Sequence, residues 1–300
     1  MAQKDSTKQT LYKKILVFTK FRLSFLVVIS ALTGYLFAGG SDYIEIAFLM
    51  IGGSFVTAAS NGANQIWEKD IDKLMARTKN RPLALGTMSL RFAYSIVILL
   101  LSIGSFLLLL INLKCMLLGI AAFISYVFIY TPMKSKSAWA VFIGAFPGAI
   151  PPFLGAIAAT DAFGFLPGVL FFVQFTWQFP HFWAIAWVSH EDYKKAGYHL
   201  LPSSLGKSKQ SAFQILIYSL ALIPFSLIPW ILDWTGNTTF VIAAILGTLF
   251  FIYAYKLFLS QEDADARKLM FASFVYLPII QFTYVLDKVE HIKFLSDGFI

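Results

Sequence analysis

The stretch FAYSIVILLLSIGSFLLLLI, residues 92–111, is a run of twenty residues without a charged side chain. A helix needs about 20 apolar residues to cross a hydrocarbon core about 30 Å thick. The apolar residues are continuous and do not alternate with polar ones, so the pattern favours a helix over a strand of a membrane barrel. A hydrophobic content of 58% and a mean hydropathy of +0.71 extend this conclusion to the whole chain, which is typical of an integral membrane protein.

Similar apolar runs lie on both sides of this stretch. They are found near residues 23–38, 46–67, 116–131, 138–159, 163–188, 212–232, 239–259 and 269–286. Together the runs predict an all-α polytopic membrane helix bundle of about nine transmembrane helices, built as a single domain over residues 1–300.

The basic residues predict the orientation of this bundle. All but three of the 24 Lys and Arg residues fall in alternate connections between the runs, the exceptions being Lys114, Lys288 and Lys293. Because cytoplasmic loops retain positive charge, the N-terminus is predicted to be cytoplasmic and the protein integral to the inner membrane. The net charge of +8 is then explained by anionic lipid headgroups of the bilayer and requires no nucleic-acid partner. The single Cys115 excludes an intramolecular disulfide.

The connection between the second and third runs concentrates charge in NQIWEKDIDKLMARTKNRPL, residues 64–83. If the second helix continues through it, Asn64, Glu68 and Asp72 recur every four residues and share one helix face, while Asp70 points away. Oxygen ligands in such a row suit Mg²⁺, which takes one or two protein carboxylates and completes its shell with water and substrate phosphate.

Two arginines follow the acids, Arg77 and Arg81, and their planar guanidinium groups match phosphate oxygens. The connection is therefore interpreted as a clamp for a metal ion and a diphosphate. The alternative is a charged helix end whose acids pair with neighbouring basic residues for solubility. Asn64 and Gln65 argue against that alternative, because polar residues inside a membrane helix are costly and tend to be functional.

A second group of polar residues lies in WQFPHFWAIAWVSHEDYKKAGYHLLPSSLGKS, residues 177–208. Asp192 is predicted to be a further metal ligand, with Lys194 and Lys195 as phosphate-binding cations, although a solvated helix end fits the same residues. His181 follows Pro180 inside the apolar run, where a polar ring needs a partner. That partner is either the substrate or another helix.

The connection YTPMKSKS, residues 130–137, places Lys134 and Lys136 directly after a helix end. Positive charge that only sets the topology would explain them equally well. Three connections nevertheless bring cations to the membrane face that carries the acids, and this convergence favours an anion-binding site.

The spacing Asn64-x₃-Glu68-x₃-Asp72 followed by MARTKNRPL resembles the first aspartate-rich motif of the UbiA superfamily of intramembrane prenyltransferases. Within that superfamily, EKDIDKLMARTKNRPL, YTPMKSKS, WQFPHFWAIAW and HEDYKKAGYHLLP resemble the haem farnesyltransferases most, and the resemblance covers essentially the whole chain. Two departures are visible. Glu68 replaces the usual Asp, and the second motif keeps Asp192 but has Val188 in place of its other acid.

The resemblance implies a reaction in which the farnesyl group of farnesyl diphosphate joins a vinyl group of haem B, giving haem O. It implies Mg²⁺ as the cofactor and a haem A synthase as a downstream partner. The implied metal ligands are Asn64, Glu68, Asp72 and Asp192. The implied diphosphate-binding cations are Arg77, Arg81, Lys134 and Lys136. The implied substrate contacts are Tyr130, Trp177 and Trp183 near the farnesyl cation and His181 at the haem iron.

Two other functions fit parts of the sequence. The same chemistry on an aromatic quinone precursor, or on a chlorophyll-like ring, would be expected to keep both acids of the second motif. A transporter would place polar residues near the middle of several helices, whereas the runs near 92–111, 212–232 and 239–259 are almost wholly apolar.

Overall fold

The computed structural model describes residues 10–289 of the chain. The part described is helical, with α1 at Leu11–Thr19, α2 at Phe21–Phe37, α3 at Tyr43–Trp67, α4 at Leu90–Leu109, α5 at Leu113–Ile124, α6 at Thr131–Met133, α7 at Ala140–Thr160, α8 at Phe165–Val188, α9 at His190–Lys195, α10 at Lys209–Ser226, α11 at Ile228–Ile231, α12 at Asn237–Ser260 and α13 at Asp263–Leu286. A 3₁₀ segment at Ile71–Leu74 follows α3, and a π-helical segment at Ser125–Tyr130 joins α5 to α6. Lys293, one of the basic residues of the topology argument, lies outside the described residues.

The predicted all-α membrane fold is confirmed. Seven helices in the described part are long and apolar enough to cross a membrane: Tyr43–Trp67, Leu90–Leu109, Leu113–Met133, Ala140–Thr160, Lys209–Ile231, Asn237–Ser260 and Asp263–Leu286. The other two predicted spans correspond to α2, whose apolar part Val27–Phe37 is short, and α8, which contains two glutamines and a histidine. The count of nine spans and the cytoplasmic N-terminus stay predictions.

The helices pack around two apolar cores that meet at α7. Residues of α2 to α5 form one core, and residues of α8, α10, α12 and α13 form the other. Glycines bring α2 and α7 into backbone contact, since a Cβ atom at Gly34 would collide with the Pro152 carbonyl and one at Gly155 with the Ala31 carbonyl. Small residues at such contacts are how membrane helices gain close packing without help from the hydrophobic effect.

A line of polar groups crosses the bundle interior at α7. Pro152 has no backbone N–H, which leaves the Gly148 carbonyl without its helical partner. Gln174 Nε2 donates to that carbonyl oxygen at 2.6 Å. Gln281 Nε2 donates to Gln174 Oε1 at 2.7 Å, and Ser30 Oγ donates to Gln281 Oε1 at 3.0 Å. These groups bond one another and tie four helices together, so they do not resemble the open polar path that a transporter requires.

Candidate active site

The end of α3 places the first row of acids. The helix ends at Trp67 and does not continue through Asp72 as predicted. Two further backbone bonds keep the helical spacing, from Glu68 N to Asn64 O at 2.9 Å and from Asp72 N to Glu68 O at 2.8 Å. Asn64, Glu68 and Asp72 are all buried, whereas Asp70 is exposed and pairs with Lys73. The predicted row is therefore present, although a continuous α-helix does not carry it.

Glu68 joins three connections of the bundle. Its Oε1 accepts from Lys134 Nζ at 2.7 Å and from Tyr198 OH at 2.8 Å. Burial by itself raises the pKa of Glu68, but Lys134 and Tyr198 outweigh it and the net pKa is lowered. Burial lowers the pKa of Lys134, and Glu68 more than reverses the effect. Both groups are therefore charged, and they form a buried ion pair.

Asp72 has a different cation. Arg81 Nη1 donates to both carboxylate oxygens, at 2.8 Å to Oδ1 and 2.7 Å to Oδ2, and Thr78 Oγ1 donates to the Asp72 carbonyl oxygen at 2.9 Å. Burial raises the pKa of Asp72, and Arg81 offsets part of that rise. Removing one partner of a buried ion pair typically costs about 3–5 kcal/mol of stability, so the loop conformation depends on this contact.

Asp192 links the second predicted cluster to the first through a hydrogen bond. Asp192 lies in the six-residue helix α9 and is half-buried, and its Oδ2 accepts from the Arg77 backbone N–H at 3.2 Å. The Arg77 guanidinium lies 6.0 Å from the ring centre of Tyr193. Lys194 and Lys195 are exposed, with no acidic partner in the part of the chain that the structure describes. The structure thus brings Asp192 to the site and leaves the two lysines at its edge.

Tyr198 is a site residue that the sequence analysis missed. Gly197 ends α9 with a φ of 70°, a left-handed conformation that glycine adopts without strain. The bonds from Gly197 N to Lys194 O at 3.1 Å and from Tyr198 N to Tyr193 O at 2.8 Å complete a Schellman motif. This turn directs Tyr198 toward Glu68. The Ala-Gly pair after a charged helix was the available signal.

Lys20, one of the basic residues counted in the topology argument, also lies near the candidate site, close to Arg81 and Lys134. It lies between α1 and α2 with a φ of 48°, which is uncommon for a residue with a side chain. Gln65 Nε2 holds this bend by donating to Val17 O at 3.2 Å and to Phe18 O at 2.8 Å. Burial, then Arg81 and Lys134, lower the pKa of Lys20 to about 7. The ammonium has no hydrogen-bond partner within the described residues.

The site has more cations than acids. Its acids are Glu68, Asp72 and Asp192, and its cations are Lys20, Arg77, Arg81 and Lys134. Burial lowers the pKa of Lys20 most, and the nearby Arg81 and Lys134 lower it further by repulsion between like charges. A compact polyanion would relieve this repulsion, so the electrostatics favour a phosphorylated ligand.

The oxygen donors fit Mg²⁺ only in the company of such a ligand. Within residues 10–289 no group of three or more His, Cys, Asp and Glu side chains is close enough to hold a metal ion. Asn64 Nδ2 donates to Thr131 Oγ1 at 3.0 Å, which leaves its Oδ1 available. Glu68 Oε2 and Asp192 Oδ1 likewise accept no hydrogen bond from described residues. These donors suit Mg²⁺ that completes its shell with substrate phosphate and water.

Some of the predicted aromatic and cationic residues lie in the candidate site, and others lie outside it. The Tyr130 ring lies 4.8 Å from Lys134 Nζ, inside the site. Trp177 stacks on His181 with 4.4 Å between ring centres. Trp183 lies on the other side of α8, against Phe179 and Tyr218. Lys136 is exposed, unlike Lys134.

Comparison with known proteins assigns the architecture to a family. A model described as the UbiA prenyltransferase family matches residues 27–276. The chain belongs to the UbiA prenyltransferase family.

Relatives in this family agree over nearly the full length. The chain is 46% identical over 274 residues to a protoheme IX farnesyltransferase of Cytophaga hutchinsonii, covering 90% of this chain and 96% of the relative. It is 35% identical over 295 residues to a protoheme IX farnesyltransferase of Aquifex aeolicus, covering 97% of this chain and 100% of the relative.

Solved structures share the same helical arrangement. A structure of digeranylgeranylglyceryl phosphate synthase in membranes matches with a TM-score of 0.76 at 20% identity, over 92% of this chain and 98% of the other. A UbiA homolog from Archaeoglobus fulgidus bound to GPP and Mg²⁺ matches with a TM-score of 0.67 at 18% identity, over 91% and 99%. At these identities the likeness establishes the UbiA fold.

Proposed function

We propose that the protein transfers the farnesyl group of farnesyl diphosphate to a vinyl group of protohaem IX, or haem B, and so produces haem O. The relatives named protoheme IX farnesyltransferase, at 35–46% identity, support the acceptor and the prenyl donor. The observation in this structure that carries the proposal is the buried contact of Glu68 with Lys134 and Tyr198 beside the Asp72–Arg81 pair. It assembles cations and oxygen ligands from three connections at one end of the bundle.

The cations would act on the leaving group. Cleavage of the allylic C–O bond of farnesyl diphosphate leaves negative charge on the departing diphosphate. Lys20, Lys134 and Arg81 would stabilise this charge, and such electrostatic stabilisation is usually the largest contribution to catalysis. Arg81 donates to Asp72, and we expect it to donate to the diphosphate when substrate binds. Lys136, Lys194 and Lys195, being exposed, would act as an outer ring that attracts the substrate.

Mg²⁺ is the proposed cofactor, held by Asn64, Glu68, Asp72 and Asp192 together with the diphosphate. When bound, it would act as a Lewis acid that neutralises the leaving group. The structure of the Archaeoglobus fulgidus homolog bound to GPP and Mg²⁺ supports this assignment. The free oxygens of Asn64, Glu68 and Asp192 agree with it.

The rest of the reaction takes place toward the apolar interior. The Tyr130 ring would face the farnesyl cation, because aromatic rings attract cations electrostatically. The cation adds to the vinyl group of haem B, and water adds to the resulting carbocation with loss of a proton. Trp177 and His181 would contact the porphyrin. Trp183 packs against Tyr218 of α10 and would be a further substrate contact.

The proposed reaction also has a membrane location and a following step. The active site would lie on the cytoplasmic side of the inner membrane, where the charged diphosphate group is bound and diphosphate is released, while the farnesyl chain and haem B lie toward the lipid bilayer. A haem A synthase would consume the product.

The test is to supply haem B, farnesyl diphosphate and Mg²⁺ to membranes containing the protein and to detect haem O by mass spectrometry. Chelation of Mg²⁺ with EDTA should abolish the product, and added Mg²⁺ should restore it. Parallel incubations replace haem B with hydroxybenzoate or dihydroxynaphthoate. Turnover of a quinone precursor without formation of haem O would reject haem as the acceptor.

A further inference from the structure

Glu68 is anchored through one of its two carboxylate oxygens. Its side chain is 5% exposed, and Oε1 accepts from Lys134 Nζ at 2.7 Å and from Tyr198 OH at 2.8 Å. Oε2 accepts no hydrogen bond from the residues that the structure describes. A buried charged carboxylate needs partners for its oxygens. Oε2 is therefore the oxygen with which Glu68 can bind a ligand.

The two donors to Oε1 differ in what else they can do. The Lys134 ammonium has a positive charge and three N–H bonds, so it can donate to Glu68 and to a phosphate group at the same time. The Tyr198 hydroxyl has one proton, which it donates to Glu68. This hydroxyl makes no other hydrogen bond within residues 10–289. The Tyr198 hydroxyl therefore acts on Glu68 alone.

The segment around Tyr198 holds the hydroxyl in position. Tyr198 is 6% exposed, and its ring centre lies 6.0 Å from that of Tyr193. His199 N donates to the Lys134 carbonyl oxygen at 3.3 Å, and Leu201 is buried in the apolar core. These contacts fix the chain on both sides of Tyr198. The position of the hydroxyl therefore does not depend on a bound ligand.

The contact also depends on the length of the side chain at position 68. Glu68 stands where the motif that the sequence resembles has Asp. A carboxylate shortened by one methylene would recede by roughly 1.5 Å, the length of one C–C bond. The 2.8 Å contact, lengthened by that amount, is no longer a hydrogen bond. Tyr198 can thus hold a Glu at this position and cannot hold an Asp.

We propose that Tyr198 is a positioning residue whose hydroxyl fixes the Glu68 carboxylate, so that Oε2 faces the metal ion and the diphosphate. The inference rests on the proposed function and adds a residue of the connection after α8. Carboxylates that bind metals are themselves oriented by hydrogen bonds of this kind. If Lys134 turns toward the diphosphate, Tyr198 still holds Glu68. The connection after α8 then contributes a neutral donor to the first row of acids, in addition to Asp192.

The test uses Mn²⁺ as a paramagnetic replacement for Mg²⁺ and farnesyl thiodiphosphate as an unreactive analogue of the prenyl donor. Binding of Mn²⁺ is followed by electron paramagnetic resonance on the full-length protein in nanodiscs. Tyr198→Phe keeps the ring and removes only the hydroxyl, so the Kd for Mn²⁺ should rise about 10- to 100-fold. Affinity for farnesyl thiodiphosphate without a metal should change less than about twofold, because Lys and Arg bind the phosphates directly.

A double-mutant cycle separates positioning from packing. Glu68→Asp breaks the contact from the other side, so adding Tyr198→Phe to Glu68→Asp should change the Mn²⁺ affinity by less than about twofold. A tyrosine that only packs would have the same effect in both backgrounds, and that result would reject the inference. The control is Tyr255→Phe, which removes a hydroxyl from an exposed tyrosine of α12 and should match the wild type.

Turnover assays distinguish this inference from the proposed function. Tyr198→Phe should need about 10- to 100-fold more Mg²⁺ for half-maximal formation of haem O, and excess Mg²⁺ should restore most of the rate. Formation of haem O by Tyr198→Phe with an unchanged Mg²⁺ requirement would reject the positioning role and leave the proposed function intact. A wild type that forms no haem O, with Mn²⁺ binding still weakened by Tyr198→Phe, would reject the function and support the positioning role.

The wild type alone can also overturn the inference, even if Tyr198→Phe proves unstable. A structure with Mn²⁺ and farnesyl thiodiphosphate bound should keep Tyr198 OH within hydrogen-bond distance of one Glu68 oxygen, with the other oxygen on the metal. A Tyr198 hydroxyl that donates to the diphosphate instead, or a Glu68 carboxylate that does not bind the metal, would reject the positioning role.

Discussion

The connection after α3 and the connection after α8 look alike in sequence, since each combines acids with Lys or Arg, yet the structure treats them differently. Glu68 and Asp72 are buried. Glu68 pairs with Lys134, and Asp72 pairs with Arg81. Asp192 is half-buried and accepts one backbone N–H, while Glu191 beside it is exposed. The first connection therefore forms the buried part of the candidate site, and the second lies at its edge. The difference shows that burial, and not composition, separates site residues from solvated ones.

The strongest test of this contrast is Asp72→Asn, with Asp70→Asn as the control. Asp72→Asn removes the charge that holds Arg81 and a proposed metal oxygen, so kcat/KM for haem O formation should fall by at least about 10²- to 10³-fold. Asp70 pairs with Lys73 at the surface, where solvent screens the interaction between the two charges. Asp70→Asn should keep activity within about twofold. Near-normal turnover by membrane-inserted Asp72→Asn would remove Asp72 from the mechanism.

A second comparison uses two lysines of one connection. Lys134→Met leaves the buried Glu68 without its cation and takes a positive charge from the site. We expect kcat/KM to fall by about 10²-fold and the protein to lose about 3–5 kcal/mol of stability. Lys136 is exposed and is proposed only to attract the substrate. Lys136→Met should therefore lower kcat/KM by about twofold or less and leave the stability unchanged. Thermal unfolding and initial rates are measured on both variants. Equal effects would contradict the prediction that the buried lysine matters more than the exposed one.

Lys20 tests whether excess cations prepare the site for an anion. The pKa of Lys20 is about 7 in the folded protein, below its ordinary 10.5. Between these values the unfolded chain binds more protons than the folded one, so stability contributed by this group rises with pH. Below pH 7 the buried charge is fully destabilising. Substrate-free Lys20→Gln should therefore have a higher Tm than the wild type at pH 6, and the difference should shrink between pH 7 and about 10.

The same variant should have the opposite effect on substrate binding. Losing one charged contact to diphosphate typically costs about 1.5–3 kcal/mol, so Lys20→Gln should raise the KM for farnesyl diphosphate about tenfold or more at pH 6.5. Lys79 is exposed in the connection after α3, and Lys79→Gln serves as the control for both measurements. A Lys20→Gln enzyme with lower Tm and unchanged KM would indicate a structural residue.

The smallest effect is expected in the connection after α8. Asp192→Asn keeps one oxygen for the Arg77 N–H and removes one proposed metal charge, so kcat/KM should fall about tenfold or less, within the range of a hydrogen bond to a charged group. Glu191→Gln should be close to wild type. Titrating activity against Mg²⁺ is the measurement, and Asp192→Asn should need more Mg²⁺ for half-maximal rate. A loss as large as that of Asp72→Asn would make the two connections equivalent.

The membrane class, the helical fold and the row of acids with its basic neighbours could all be predicted from the amino-acid sequence. These properties are local, because the length of an apolar run and a four-residue spacing depend only on nearby residues. Even the early end of α3 did not destroy the spacing, since the bonds to Asn64 O and Glu68 O preserved it.

The partners of the buried polar residues depend on the tertiary structure. Lys134 and Tyr198 reach Glu68 from 66 and 130 residues away, and Ser273 reaches His181 from 92 residues away. Such contacts depend on how helices pack and where each connection turns, and no local pattern encodes them. Burial then gives identical residue types different roles. A charge or lone pair that is removed from water needs a hydrogen bond or an ion pair, either within the protein or with a substrate.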